Sequence, residues 1–177
     1  MYQWERWSAE LLEGHLSYPV LAYFRSQHDN QSWLAALTAI LDTCSLLMSV
    51  LEGGCPRQAE LTFAMARHAV IDLSLVFRTK PQEPKPDRLP MEKLAELRLL
   101  LVGHGHQLRE EEAAVQRLKE LRLLYEPYVY ALAIYFQLRV PPWIAEKNWV
   151  DNWQASNWDQ SRTTMKEIRD KVLGEHF

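Results

Sequence analysis

Along most of this chain apolar residues recur at intervals of three and four, the spacing that places side chains on one face of an α-helix. Trp4, Trp7, Leu11 and Leu12 make the first such face, on a helix ending near Gly14. Tyr18 to Gln27 predicts a short second helix, with Ser17 as its cap and Pro19 in its first turn. Gln31 to Glu52 is the most apolar stretch, with Trp33, Leu37, Ile40, Leu41, Cys44, Leu47, Met48 and Leu51 on one side. Gly53-Gly54 stops it and Pro56 opens the next helix. That helix, Gln58 to Arg78, is apolar on two sides: Phe63, Ala66, Val70, Leu73 and Phe77 on one, Leu61, Met65 and Leu75 on the other. A helix of that kind is expected near the centre of a bundle.

Residues 79–90, TKPQEPKPDRLP, hold four prolines and cannot continue a helix, so they read as an exposed, extended connector. Helical spacing resumes at Met91 to Val102, breaks at Gly103-His104-Gly105-His106, and returns from Gln107 to Tyr125 and from Tyr128 to Arg139. Ser156 with Asp159 resembles a capping box for a last helix, Trp158 to Leu173. No long stretch alternates with period two. The expectation is an all-α bundle of about six to eight helices in one domain over residues 1–177, divisible into 1–78 and 91–177 by the connector.

Composition narrows the class. The 177 residues are 47% hydrophobic and 24% charged, ordinary for a folded domain and against disorder. A net charge of -3 leaves no basic footprint for nucleic acid. No run is long and apolar enough to span a bilayer, and Asp42 in the middle of the most apolar helix would cost about 2.5–3.5 kcal/mol there. Cys44 and Cys55 share no metal-ligand spacing and are expected as reduced thiols of a reducing compartment.

Candidate chemistry is sparse. His68 and Asp72 stand four apart on one helical face, the spacing of an acid–base pair or half a metal site, and also of a buried hydrogen-bonded structural pair, the reading preferred here. Asp42 lies beside Ala35, Ala39, Ser45 and Ser49 and calls for a partner, with Arg25, Arg67 and His68 as candidates. His104 and His106 in a Gly-rich break are weak metal candidates, read first as a helix end. None of the six His has Glu three positions before it, which excludes the di-iron bundle signature. No cofactor is expected. Trp143, Trp149, Trp153 and Trp158 have only Lys147 among them as a cation, so they read, with Trp4, Trp7 and Trp33, as packing or subunit surface rather than a base-stacking platform. Tyr125, Tyr128, Tyr130 and Tyr135 read as core residues whose hydroxyls reach partners.

The run WERWSAELLEGHLSYPVLAYFRSQHDNQSWLAALTAILDTCSLL, Trp4 to Leu47, resembles a segment of bacterial potassium-channel-like membrane proteins, most specifically at SQHDNQSW. Leu61 to Leu73, Leu121 to Leu132 and Asp151 to Trp158 are similar to later parts of the same region. In that family the region follows a pore unit of two transmembrane helices. The chain holds no TVGYG-like filter, so no pore residue carries over. The resemblance implies a non-enzymatic cytosolic part at the cytoplasmic face of the inner membrane, joined to the transmembrane pore portion of the same protein and forming a homo-oligomer that helps assembly or gating. The helix around Trp4 to Leu12 would be the mechanical link. Polar coupling would fall to Arg25, His28, Asp29, Asn30, Asp42, Arg67, His68 and Asp72. A soluble helical small-molecule- or metal-binding protein or hydrolase using His68 and Asp72 is the alternative.

Overall fold

In the computed structural model the periodic segments are helices, and the structure describes residues 1–24, 32–53 and 56–144. Six α-helices stand among the described residues: α1 Tyr2–Ser17, α2 Trp33–Ser49, α3 Pro56–Val76, α4 Met91–Gly103, α5 Glu111–Leu123 and α6 Glu126–Phe136. The all-α bundle is therefore observed.

Local chemistry sets the boundaries. Ser32 caps α2 by accepting the Ala35 N–H at 3.0 Å. Pro127 sits in the first turn of α6, where its missing N–H has no cost, and Gln137 closes that helix in the left-handed conformation at φ 53°. After α3, Arg78 takes φ 53°, and the Thr79 N–H returns to the Ser74 carbonyl at 2.9 Å.

Two expected helices come out shorter. The Tyr18–Gln27 segment begins as a 3-10 turn, Pro19–Tyr23, and residues 25–27 lie outside the described residues. The segment expected from Gln107 becomes helical only at Glu111, because Leu108 pairs with Leu51 in an isolated antiparallel bridge. The Glu52 N–H donates to the Gln107 carbonyl at 2.9 Å, and the Arg109 N–H to the Val50 carbonyl at 2.9 Å. Those bonds hold residues 107–109 extended against the end of α2. The proposed last helix, residues 158–173, lies outside the described residues.

Two hydrophobic clusters organise the packing. The first joins Leu12, Leu34, Leu37, Leu41, Phe63, Val70, Leu73, Tyr125, Leu132 and Phe136, drawn from both sides of the Pro-rich connector. The second is smaller: Val50, Leu89, Leu94, Leu97, Ala114 and Leu118. α3 packs against α1, α2 and α6, as its two apolar sides predict. Its second side is only partly used, however: Leu61 and Leu75 face outward.

Close approach to α2 is possible because its other face is made of small residues. Thr38, Ser45 and Ser49 are buried there, each hydroxyl donating to the carbonyl four residues back. That local bond satisfies the hydroxyl without a partner from another helix. Asp42 lies on the same face and has no such local solution.

Candidate functional site: a buried chain of alternating charge

Asp42 is buried, and both of its carboxylate oxygens are bonded. The Arg88 guanidinium grips it as a fork, Nη2 to Oδ2 at 2.6 Å and Nη1 to Oδ1 at 3.3 Å, and the Tyr125 hydroxyl donates to Oδ1 at 2.5 Å. Arg88 Nη1 also donates to Glu126 Oε1 at 2.9 Å. Glu126, itself buried in the first turn of α6, accepts from Arg122 through Nε at 3.1 Å and Nη2 at 3.0 Å. Arg122 Nη2 reaches Asp87. The result is a line of alternating sign, Asp42–Arg88–Glu126–Arg122–Asp87, running from α2 through the connector and the start of α6 to the end of α5.

Two features close this line. Arg88 Nη2 donates to the Pro141 carbonyl at 2.8 Å, and Arg122 Nη1 to the Leu89 carbonyl at 3.3 Å. The Trp143 ring covers both guanidiniums, its centroid 5.7 Å from the Arg88 carbon and 5.8 Å from that of Arg122. Planar guanidinium groups suit this position because they bond in plane while stacking an aromatic face.

The environment sets the charge states. Burial raises the Asp42 carboxyl above its ordinary range; Arg88 and Tyr125 pull it down without overcoming that, and Glu126 pushes it up. Burial works against the Arg88 charge, but Asp42 and Glu126 outweigh it and hold the guanidinium more firmly charged than usual. Burial likewise opposes Asp87, yet the Leu89 N–H and Arg122 together keep it below its usual value. The Tyr125 phenol is pushed well above 10 by burial and then by Asp42 and Glu126, so it stays a donor.

Among the groups bonded in this line there is no Ser, Cys or His, and the oxygens of the two buried carboxylates, Asp42 and Glu126, are bonded to protein donors. The arrangement is suited to holding four chain segments in one geometry. Two buried donors in it, Arg88 Nε and Trp143 Nε1, have no acceptor among the described residues.

The other expected positions fall elsewhere. Asp42 pairs with Arg88 rather than with Arg67 or His68, because the connector folds back over α2. Arg67 donates its Nε to the Leu124 carbonyl at 3.2 Å from an exposed position. His68 and Asp72 do pair, Nε2 to Oδ2 at 3.3 Å, but on the surface, with side chains 61% and 31% exposed. They are not the buried pair that one reading of the sequence required, because that side of α3 is only partly covered, leaving His68 exposed and Asp72 half-buried. His104 hydrogen-bonds the Leu100 carbonyl through Nδ1 at 2.7 Å at the end of α4, and His106 is exposed in the loop beyond. Among the described residues no three His, Cys, Asp or Glu are grouped to hold a metal ion.

Trp33 packs on the first cluster with its ring 5.2 Å from His15, donating Nε1 to the Ala22 carbonyl at 3.2 Å. Trp7 packs on that cluster and meets Trp4 edge-on at 6.2 Å, while Trp4 is half exposed. Arg25, His28, Asp29, Asn30, Trp149, Trp153 and Trp158 lie outside the described residues.

Sequence reading reached Asp42 and the need for a Tyr125 partner but missed Arg88, Glu126, Arg122 and Asp87. A signal did exist: Arg122 and Glu126 stand four apart around a helix restart, and Arg88 is an arginine beside a leucine in a segment otherwise polar and Pro-rich.

No protein-family model, curated protein or solved structure matches this chain. No helix among the described residues is long and apolar enough to cross a membrane.

Proposed function

We propose that this chain is a non-enzymatic helical module that serves assembly or regulation, acting by shifts in helix packing, and that it works at the cytoplasmic face of the membrane beside the pore portion of a potassium-channel-like protein. One observation carries the non-catalytic reading: the buried carboxylates Asp42 and Glu126 are spent on Arg88 and Arg122, joining α2, the connector, α5 and α6. Such a centre favours one arrangement of helices and makes others costly, which is what a two-state mechanical element needs. Attachment to a pore rests on the resemblance of Trp4–Leu47 and the later segments.

Exposed apolar positions suit a homo-oligomer. On α4, Met91, Leu99 and Val102 are exposed, with exposures of 63%, 74% and 56%. They share a side of the helix with Ala95, which is also exposed, at spacings of four, four and three. A row of that kind is an ordinary helix-pairing surface.

Light scattering with metal analysis of the purified chain tests this reading. A metal-free dimer or higher oligomer is expected. A monomer carrying stoichiometric zinc or iron contradicts it and favours the metal-binding or hydrolytic alternative built on His68 and Asp72.

A further inference from the structure

The chain that leaves α6 crosses the bundle in an unusual way. Leu138 and Val140 pack against the first hydrophobic cluster, while Trp143 and Ile144 pack against the second. Residues 138–144 thus form a strap over both. Past Leu138, whose N–H returns to the Ala133 carbonyl at 2.9 Å, no backbone-to-backbone bond holds this strap among the described residues. Pro141 and Pro142 have no N–H to give. Its polar anchor is the Arg88 bond to the Pro141 carbonyl, reinforced by the Trp143 ring on Arg88 and Arg122.

Arg88 belongs to the connector, which is held mainly by side chains, Arg88 itself and Arg122, which reaches Asp87 and the Leu89 carbonyl. The Gln82 N–H donates to the Pro127 carbonyl at 3.0 Å, the Tyr130 hydroxyl to the Lys85 carbonyl at 3.1 Å, and Leu89 is buried in the second cluster. Connector and strap therefore share one fastening, and neither is woven into a helix. Opening them exposes few apolar side chains compared with unfolding α2 or α3, whose Leu34, Leu37, Leu41, Val70 and Leu73 are fully buried. It also returns two donors without acceptors, Arg88 Nε and Trp143 Nε1, to water, recovering hydration that the closed state forfeits. Segments with few buried apolar contacts and little backbone pairing are the low-stability units of a fold.

We propose that residues 138–144 and the connector 79–90 are a two-part latch, fastened by Arg88 under Trp143, which opens as one unit while α1, α2 and α3 remain folded. In the closed state Arg88 ties the strap to Asp42 on α2. In the open state that tie is lost, and residues 138–144 are uncoupled from α2. The latch does not depend on attachment to a pore, and its test reads no channel property.

Thiol accessibility under native conditions tests it in the full chain. In a background of Cys44→Ala and Cys55→Ser, single reporters are placed at Leu89→Cys in the connector, Val140→Cys in the strap and Leu73→Cys in α3. The first two are expected to open with the same equilibrium constant, at least about tenfold larger than that of the third. Adding Trp143→Leu should raise both by a common factor of about ten and leave the α3 reporter unchanged. Unequal responses at 89 and 140 overturn the shared fastening, and a parallel rise at 73 overturns local opening. Where a reporter variant does not fold, protein labelled with 5-fluorotryptophan gives the answer without one. The Trp143 resonance, assigned with Trp143→Phe, should reach its solvent-exposed shift at a lower urea concentration than the loss of helical circular dichroism. Coincidence of the two transitions overturns the proposal.

Discussion

Arg88→Met isolates the energetics of the buried charges. In the native protein Asp42 and Glu126 both accept from Arg88, at 2.6 and 2.9 Å. Glu126 keeps Arg122 at 3.0 Å when Arg88 is lost. Asp42 keeps only the Tyr125 hydroxyl. The variant therefore strands one buried carboxylate, a change that typically costs about 3–5 kcal/mol. Against a total stability of about 5–15 kcal/mol, that is a large fraction, and at about 2–4 °C per kcal/mol it lowers Tm by roughly 6–20 °C. The penalty depends on pH in a defined direction. Burial already raises Asp42, and removing the Arg88 charge that pulls it down raises it further. A carboxyl raised in the folded state gives stability that is fully present below its unfolded value, near about 3.9, and lost as pH rises through the folded value. The difference between wild type and variant should thus be small near pH 4 and grow as pH rises. Urea melts from pH 4.5 to 8 measure it, urea being preferred because guanidinium chloride screens charge. A loss below about 1 kcal/mol at pH 7, or a loss that does not change with pH, refutes the reasoning. The companion variant Asp42→Leu/Arg88→Met/Glu126→Leu/Arg122→Met removes the buried charges on both sides and should recover most of the loss, because replacing a buried ionic group by apolar residues is often neutral or stabilising.

Other substitutions separate core from surface. Leu37→Ala or Leu41→Ala, both at fully buried positions of α2, should each cost about 2–5 kcal/mol in urea melts. Ser32→Ala removes the α2 cap and should cost about 1 kcal/mol. His68→Ala should change stability by less than about 0.5 kcal/mol, since its pair is solvated, and calorimetry with zinc should show no heat that depends on this residue. Burial pushes the Cys44 thiol up to about 12. In a Cys55→Ser background it should therefore resist a disulfide reagent at pH 8 and react at once in unfolding urea; rapid reaction of the folded protein contradicts its placement.

The helices were legible because burial in this bundle follows the 3.6-residue period: Leu34, Leu37, Leu41 and Cys44 recur on schedule and are all buried. Asp42 was legible as a problem, one charge in an apolar run, but its solution lay 46 residues away. Local spacing does not report a contact made by a returning connector. The four prolines of that connector predict extended, solvated chain, and most of it is exposed; the docking of Arg88 and Leu89 departs most from this, and composition has no term for docking. His68 and Asp72 show the converse case. Their spacing revealed the pair, but whether that face of α3 was covered depended on where other helices lie. Trp143 was expected as packing surface, and its position over two guanidiniums adds an electrostatic role that its neighbours in sequence do not suggest.

The functional account stands on the module acting beside a pore, and potassium flux tests that most directly. Liposomes carrying the protein translated from the full reading frame that encodes this chain are compared with the same protein lacking residues 1–177. The account predicts potassium-selective flux from the full protein and an altered open probability or subunit number once the module is removed. A reading frame without two apolar helices flanking a filter sequence, or flux and assembly identical with and without the module, contradicts it.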